Sequence, residues 1–152
     1  MELILWRHAD AEPGEPDESR PLSPKGQKQA AKMADWLDRH LPNGCKILAS
    51  PTVRTVQTAQ ALERKFKVNS ALGPDSTSAN ILAAAQWPDA REPVLVIGHQ
   101  PALGRLAALL ITGIEQDWIL RKGSICWIAD KAIGEQPINY IKAVIAPDML
   151  GK

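Results

Sequence analysis

The sequence predicts a three-layer α/β/α fold, in which helices cover both faces of a mostly parallel β-sheet. Two apolar runs, residues 3–6 and 94–97, are typical of strands buried on both faces of such a sheet. Each run is followed by a polar or proline-containing loop and then by a helical pattern. Because strand and helix patterns alternate along the chain, the strands are expected to be joined by crossover helices.

Cap residues and apolar spacing predict the other elements. Ser23-Pro24 supplies an N-cap and a first-turn proline for a helix whose apolar positions repeat as far as Leu41. Ser50-Pro51 repeats this arrangement for a helix that is expected to continue to about Lys65. The remaining predicted elements are a strand at 46–49, a short helix at 80–86, a helix over 103–110, and two late strands at 124–130 and 138–144 that flank a turn at Gly134.

Length and composition exclude several classes of protein. The 152 residues fit a single domain, residues 1–152, that can bury a core without a metal ion or a disulfide. With 18 basic and 17 acidic residues, the chain has no global field to attract nucleic acid or an anionic membrane. Cys45 and Cys126 have no partners at metal-ligand spacing. No signal peptide or membrane span is predicted, so the expectation is a cytoplasmic protein, and a monomer is favoured.

Two of the three histidines, His8 and His99, closely follow the two buried strand patterns. If those strands are neighbours in a parallel sheet, both imidazoles lie at the same sheet edge, where α/β proteins bind ligands. Arg7 adds a cation beside His8. The alternative is that each histidine is a structural residue with its hydrogen bonds satisfied in the core. The paired positions favour a functional site.

Arg54 is predicted to lie in the first turn of its helix, where the helix dipole disfavours a cation by about 0.3–1 kcal/mol. An anion bound at the helix N-terminus would account for it, because backbone N–H groups and the guanidinium would bind the anion together. The alternative is an exposed arginine that bends into solvent. Arg7 supplies a second planar guanidinium that suits phosphate or sulfate oxygens.

These residues favour phosphoryl chemistry without a metal or another cofactor. The sequence has no carboxylate pair at metal spacing, no glycine-rich Walker loop and no Gly-x-Ser-x-Gly motif. In such a site a neutral histidine attacks phosphorus, and fixed cations neutralise the phosphoryl oxygens.

Four segments in order resemble the histidine phosphatase (phosphoglycerate mutase-like) superfamily, and most closely its SixA-type phosphohistidine phosphatases. They are residues 7–9, 21–30, 50–59 and 98–101. The resemblance implies a phosphoglycerate mutase-like fold and a phosphatase in which His8 becomes transiently phosphorylated. It implies a phosphate pocket formed by Arg7, Arg54 and His99, with Arg20 reaching the phosphate from the loop.

The sequence departs from this pattern at two points. Ala9 stands where many members carry glycine, a change between small residues that the site is expected to tolerate. Members that act on alcohol phosphates usually have a carboxylate as general acid between the second arginine motif and the Gly-His motif. Asp75 is the best-placed catalytic acid here, although an N-cap or turn role is the alternative. The other carboxylates in this part of the chain are Glu63, Asp89 and Glu92.

A weak general acid favours phosphohistidine as the substrate, because an imidazole leaving group can be protonated near neutral pH. The short segment 66–93 leaves little material for a lid, so a phosphorylated protein is the expected partner, with a role in signal transduction. The alternatives are a small-molecule phosphomonoesterase or mutase, and a non-catalytic phosphate-binding module.

Charged stretches outside the motifs are less specific. Five acidic residues between Asp10 and Glu18 either meet a basic partner or form a solvated loop. The basic clusters at 64–67 and 121–122 are interpreted as solvated ends of elements, and no nucleic-acid contact is predicted from them.

Overall fold

The computed structural model describes residues 1–151, and for Ile133 the backbone alone. Within this range four α-helices accompany a six-stranded sheet. The strands are β1 (Glu2–Arg7), β2 (Lys46–Ala49), β3 (Lys67–Val68), β4 (Val94–Gly98), β5 (Ile125–Ile133) and β6 (Gln136–Ile145). The helices are α1 (Pro24–His40), α2 (Val53–Gln60), α3 (Ser78–Ala85) and α4 (Ala102–Thr112).

The sheet has the strand order β3-β2-β4-β1-β5-β6. Strands β3, β2, β4 and β1 are mutually parallel, whereas β5 and β6 form an antiparallel hairpin beside β1. Gly134, with φ of +62°, lies in the turn of this hairpin, where a left-handed conformation suits glycine. The predicted mostly parallel sheet and the late pair of strands are therefore confirmed.

Helices cover both faces of the sheet, as a three-layer fold requires. Leu3 and Leu5 of β1 face a core that includes residues of α3 and α4. Ile4 and Trp6 of the same strand face a second core that includes residues of α1 and α2. The fully apolar pattern of β1 thus reflects burial on both sides.

Helix α1 begins as predicted, because the Ser23 hydroxyl accepts a hydrogen bond from the Gly26 amide and Pro24 occupies the first turn. The expectation for α2 was wrong at both ends. Thr52, and not Ser50, is its N-cap, and the helix ends at Gln60 instead of about Lys65.

Two features explain the early end of α2. Glu63 adopts a left-handed conformation with φ of +56°. The Arg64 guanidinium then donates hydrogen bonds to the carbonyls of Asp38, Leu41 and Pro42 at the end of α1. These contacts turn the chain away from the helix axis.

Among the helices of residues 1–151, none has the length and apolar character needed to cross a membrane.

Candidate active site

The register of β1 and β4 brings the two predicted histidines together. Arg7 pairs with Gly98 across the parallel strands, so His8 and His99 come next at the same sheet edge. Their ring centroids lie 5.3 Å apart, and the rings are inclined by 56°. Both residues are buried, with 6% and 5% of their surface exposed. This juxtaposition is the one that the sequence pattern predicts.

The environment of His8 fixes one tautomer. Its Nδ1 lies 2.7 Å from the carbonyl oxygen of Ala9. Because a carbonyl only accepts, Nδ1 carries the hydrogen and Nε2 keeps its lone pair. Burial lowers the pKa of His8 to about 4, and the nearby positive charges of Arg54, Arg7 and Lys122 act in the same direction. The ring is therefore neutral at pH 7.

His99 is held from two sides. Its Nε2 lies 2.7 Å from the hydroxyl of Ser50, and its Nδ1 lies 3.5 Å from Nη2 of Arg54. Burial, followed by the proximity of His8 and Arg54, lowers the pKa of His99 to about 3. Ser50 was expected to cap a helix, and only the fold shows its hydroxyl at the second histidine.

Arg54 lies in the first turn of α2, as predicted, but its side chain does not bend into solvent. Only 5% of the residue is exposed. Its Nη1 donates to the Asp17 carbonyl at 2.9 Å, and its Nη2 donates to the Asp17 carboxylate at 3.0 Å. This contact with Arg54 holds the pKa of Asp17 below its usual value. The carboxylate of Asp17 thus pairs with the buried guanidinium of Arg54. The sequence alone did not predict this ion pair.

The other two arginines approach the same region from different segments. Nη1 of Arg7 donates to the Leu120 carbonyl at 3.0 Å. Nε of Arg20 donates to the Glu12 carbonyl at 3.0 Å, and its Nη1 donates to the Asp17 carboxylate at 3.2 Å. Asp17 therefore connects Arg20 with Arg54. Within residues 1–151, the buried Nε groups of Arg7 and Arg54 have no hydrogen-bond partner.

The loop that carries Asp17 and Arg20 is anchored on α1. The Asp10 carboxylate accepts a hydrogen bond from the Ser23 hydroxyl at 2.6 Å, and the Asp10 carbonyl accepts one from the Ser23 amide. A Cβ at Gly26 would overlap the Asp10 carbonyl, so only glycine allows this close approach. Ala9 is fully buried and packs with Leu22 and Ala30, so this site accommodates alanine at position 9.

Asp75 lies in the segment before α3. It is exposed and lines a cleft of about 290 Å³ together with Pro101, Ala102 and Arg105. In the described part of the chain it forms no hydrogen bond with His8 or His99. Glu92 precedes β4 at the opposite sheet edge, where it lies against Gly44. Glu63, expected inside α2, follows the end of that helix.

No group of three or more histidine, cysteine, aspartate or glutamate side chains is arranged to hold a metal ion within residues 1–151. The cluster instead combines two neutral imidazoles with three guanidinium groups. Such a cluster can bind a small oxyanion through charge-assisted hydrogen bonds and can present the unprotonated Nε2 of His8 to it.

Comparisons with known proteins show that this chain is similar to histidine phosphatases. The family model described as "Histidine phosphatase superfamily (branch 1)" matches residues 3–75. Phosphohistidine phosphatase SixA of Escherichia coli is 30% identical over 122 residues, which cover 74% of this chain and 76% of the relative. The phosphohistidine phosphatase SixA homolog of Haemophilus influenzae is 28% identical over 126 residues, covering 72% and 77%.

Solved structures extend the similarity over nearly the whole chain. A protein histidine phosphatase SixA complexed with tungstate superposes with a TM-score of 0.76 and 26% identity, covering 98% of this chain and 99% of the other. A putative SixA from Nakamurella multipartita gives a TM-score of 0.79 and 25% identity, covering 96% and 95%. The four ordered motifs, the fold and these relatives together show that the chain belongs to the histidine phosphatase superfamily.

Proposed function

We propose that this protein is a phosphatase that removes the phosphoryl group from phosphohistidine on another protein, through a phosphorylated His8. The observation that carries the proposal is the state of His8. Its Nδ1–H is held by the Ala9 carbonyl, and its Nε2 is unprotonated in a site with the guanidinium groups of Arg7 and Arg54 nearby. Family membership supports phosphatase chemistry in general.

The reaction proceeds in two displacements. Nε2 of His8 attacks phosphorus and forms an N–P bond while the N–P bond of the substrate breaks. The leaving imidazole keeps that electron pair and takes a proton from solvent. A water oxygen then attacks the phosphorus of phosphorylated His8, the second N–P electron pair returns to Nε2, and orthophosphate leaves after the water has lost a proton.

The arginines supply the electrostatic part of catalysis. Arg7, Arg54 and Arg20 place positive charge around the phosphoryl oxygens, which stabilises the charge of the transition state. His99 is neutral in the free site, but a bound dianion raises its pKa, so that Nδ1 can gain a proton and donate to a phosphoryl oxygen. Asp17 holds Arg54 and Arg20 in place before the substrate arrives.

The positions of the carboxylates favour phosphohistidine over an alcohol phosphate. Within residues 1–151, neither His8 nor His99 has a carboxylate as a hydrogen-bond partner. An alkoxide leaving group depends on an acid that reaches its oxygen, and the candidate Asp75 is exposed, without a hydrogen bond to either histidine among the described residues. An imidazole leaving group can instead be protonated near neutral pH. Two relatives are named phosphohistidine phosphatases, in agreement with this choice.

A direct test is to trap the intermediate. We expect rapid mixing with a phosphohistidine peptide, quenching in alkali and peptide mass spectrometry to place one phosphoryl group on His8. The His8→Ala protein should lose the label and at least about 10³-fold in kcat, because the covalent route is absent. His40→Ala is the matched control, since His40 is exposed and stacks on Trp36. Wild-type turnover by the His8→Ala protein would disprove the mechanism.

A second candidate is hydrolysis of a small phosphate ester, and the cleft lined by Asp75 is the observation that favours it. This cleft borders Pro101 and Ala102, directly after the His99 loop. If Asp75 protonates an alcohol leaving group, Asp75→Ala will lower the turnover of a small phosphate ester at least tenfold. Under the phosphohistidine proposal the same variant leaves phosphohistidine hydrolysis unchanged.

A further inference from the structure

A basic groove lies beside the candidate active site. We define it by five cationic side chains and one carboxylate that line a cavity of about 460 Å³. These residues are Lys25, Lys28, Lys32, Arg121, Lys122 and Asp148. The first three lie on one face of α1, because positions separated by three or four residues are neighbours on a helix.

The positive charge of the groove is largely uncompensated. Arg121 pairs with Asp148 at 3.2 Å, and Lys122 pairs with Asp10 at 3.0 Å. Within residues 1–151, the three α1 lysines have no ion-pair partner. The whole chain has a net charge of only +1, so the groove is a local concentration of charge. Such a local field favours an anionic partner.

The groove adjoins the segment that carries His8. Lys122 contributes to lowering the pKa of His8, and its ion pair is with Asp10, two residues beyond that histidine. Gln29, which also lines the groove, accepts a hydrogen bond from the Asp10 amide at 2.9 Å. The amide of Gly123 donates to the carbonyl of His8 at 3.0 Å. A partner protein whose side chain reaches His8 would therefore have the neighbouring part of its own surface over the groove.

We propose that this groove binds an acidic segment of the phosphorylated protein, next to the phosphohistidine that enters the site. The proposal rests on the proposed function, since it specifies the partner of that site. The α1 lysines are exposed. A lysine carries a point charge on a flexible side chain, without the planar fork of arginine, which suits several carboxylates on a protein surface. Among the described residues that line the groove, none is an aromatic residue that could stack nucleic-acid bases.

The test uses two peptides with a central phosphohistidine, one flanked by glutamates and the other by glutamines at the same positions. We expect the wild-type protein to hydrolyse the glutamate peptide with a kcat/KM about tenfold higher at low salt, as expected for three exposed ion pairs. In about 1 M salt the preference should disappear, because the Debye length falls to about 3 Å. The variant K25E/K28E/K32E should lose the preference and keep the rate on the glutamine peptide.

The matched control is the variant K65E/K67E/K131E, which changes the charge equally at exposed lysines outside the groove. It should keep the preference for the glutamate peptide. Equal rates of the two peptides with the wild-type protein, or an unchanged preference in the groove variant, would overturn the proposal. Equal unfolding midpoints of all three proteins will show that the substitutions leave the fold intact.

A separate binding experiment tests the docking proposal independently of the proposed reaction. If neither peptide is hydrolysed, the proposed function fails, and fluorescence anisotropy of the unphosphorylated peptides then tests the groove alone. Binding of the glutamate peptide that is lost in K25E/K28E/K32E would support acidic docking. Equal binding of both peptides, or tighter binding of single-stranded DNA, would contradict it.

Discussion

The hydroxyl of Ser50 and Nε2 of His99 lie 2.7 Å apart, with both residues buried at the carboxyl ends of adjacent parallel strands. Arg54 faces the other ring nitrogen of His99 at 3.5 Å, and a guanidinium has no acceptor. Nδ1 of His99 is therefore the acceptor, and Nε2–H donates to Ser50. Arg54 thus sets the tautomer of the histidine, and the serine holds the ring in its orientation by accepting from Nε2–H.

Ser50→Ala should leave the Nε2–H group of His99 buried without an acceptor. We expect a loss of about 1–3 kcal/mol in the free energy of unfolding, measured in urea, because an unsatisfied buried donor bears its full desolvation cost. The value of kcat/KM for a phosphohistidine peptide should fall about tenfold as the ring loses its fixed orientation. Ser76→Ala is the control, since the one hydrogen bond that the Ser76 hydroxyl donates within residues 1–151 is long and exposed. Equal effects of the two substitutions would contradict the positioning role.

Asp17→Asn should strengthen the binding of orthophosphate. The Asp17 carbonyl remains as an acceptor for Arg54, and the new amide oxygen can replace the carboxylate oxygen that faces Arg54. The exposed contact with Arg20 is lost, and one negative charge is removed beside Arg54. Because 52% of the Asp17 side chain is exposed, solvent screens this charge. We expect the inhibition constant of orthophosphate to fall about two- to fivefold.

Asp35→Asn is the control for Asp17→Asn. Asp35 forms an exposed ion pair with Arg39 on α1, so the substitution removes the same charge at another surface position. Weaker orthophosphate binding by the Asp17→Asn protein would show that the carboxylate contributes more through positioning Arg54 than through competition with the anion.

Local patterns predict the elements that carry the site but do not predict all of its contacts. The two buried strand patterns predict that His8 and His99 each follow the carboxyl end of a strand. Their juxtaposition depends on β1 and β4 being neighbours, which neither pattern encodes and the structure supplies. The roles of Ser50 and Asp17 in contacting His99 and Arg54 depend on segments far apart in sequence. No periodicity encodes such pairs. From the sequence, the serine is explained as a helix N-cap and the aspartate as a turn residue, so neither suggests a contact with a distant segment.

The basic groove illustrates the same limit. Lysines at positions 25, 28 and 32 are recognisable as one face of a helix. Arg121 and Lys122 alone are a short solvated cluster. Only the fold, which places the segment before β5 beside α1, brings the two groups around one cavity. The acidic loop behaves similarly, since two of its five acids, Asp10 and Asp17, form ion pairs within the molecule.

Gly26→Ala should destabilise the protein despite the higher helix propensity of alanine. The added Cβ would overlap the Asp10 carbonyl, which also accepts from the Ser23 amide. We expect a net loss of about 1–2 kcal/mol, because overpacking against backbone costs up to about 3 kcal/mol and the gain in propensity offsets about 1 kcal/mol. Thermal and urea unfolding measure the loss. Gly151→Ala, where no residue of 1–149 lies within 4 Å of the new Cβ, should leave stability unchanged.

Because the two histidines are buried and neutral, we expect the free energy of unfolding to fall in mild acid. Burial holds the pKa of His8 at about 4 and that of His99 at about 3, whereas an unfolded histidine titrates near 6.5. Below pH 6.5 the unfolded chain therefore binds more protons than the native one. The free energy of unfolding is at its full value above pH 6.5 and falls as the pH decreases toward 4.

Asp10 and Asp17 change the free energy of unfolding at lower pH than the two histidines do. The contribution of the carboxylates can therefore be separated from that of the imidazoles. The pKa values of Asp10 and Asp17 are held below 3.8, so their stabilising effect is lost mainly under pH 4. Urea unfolding between pH 7.5 and 4.5 should show the slope from the histidines, and His8→Gln should reduce that slope by about half. A flat profile over this range would mean that the imidazoles gain protons in the native state. A protonated His8 has no lone pair on Nε2, so the proposed attack on phosphorus would then require deprotonation first.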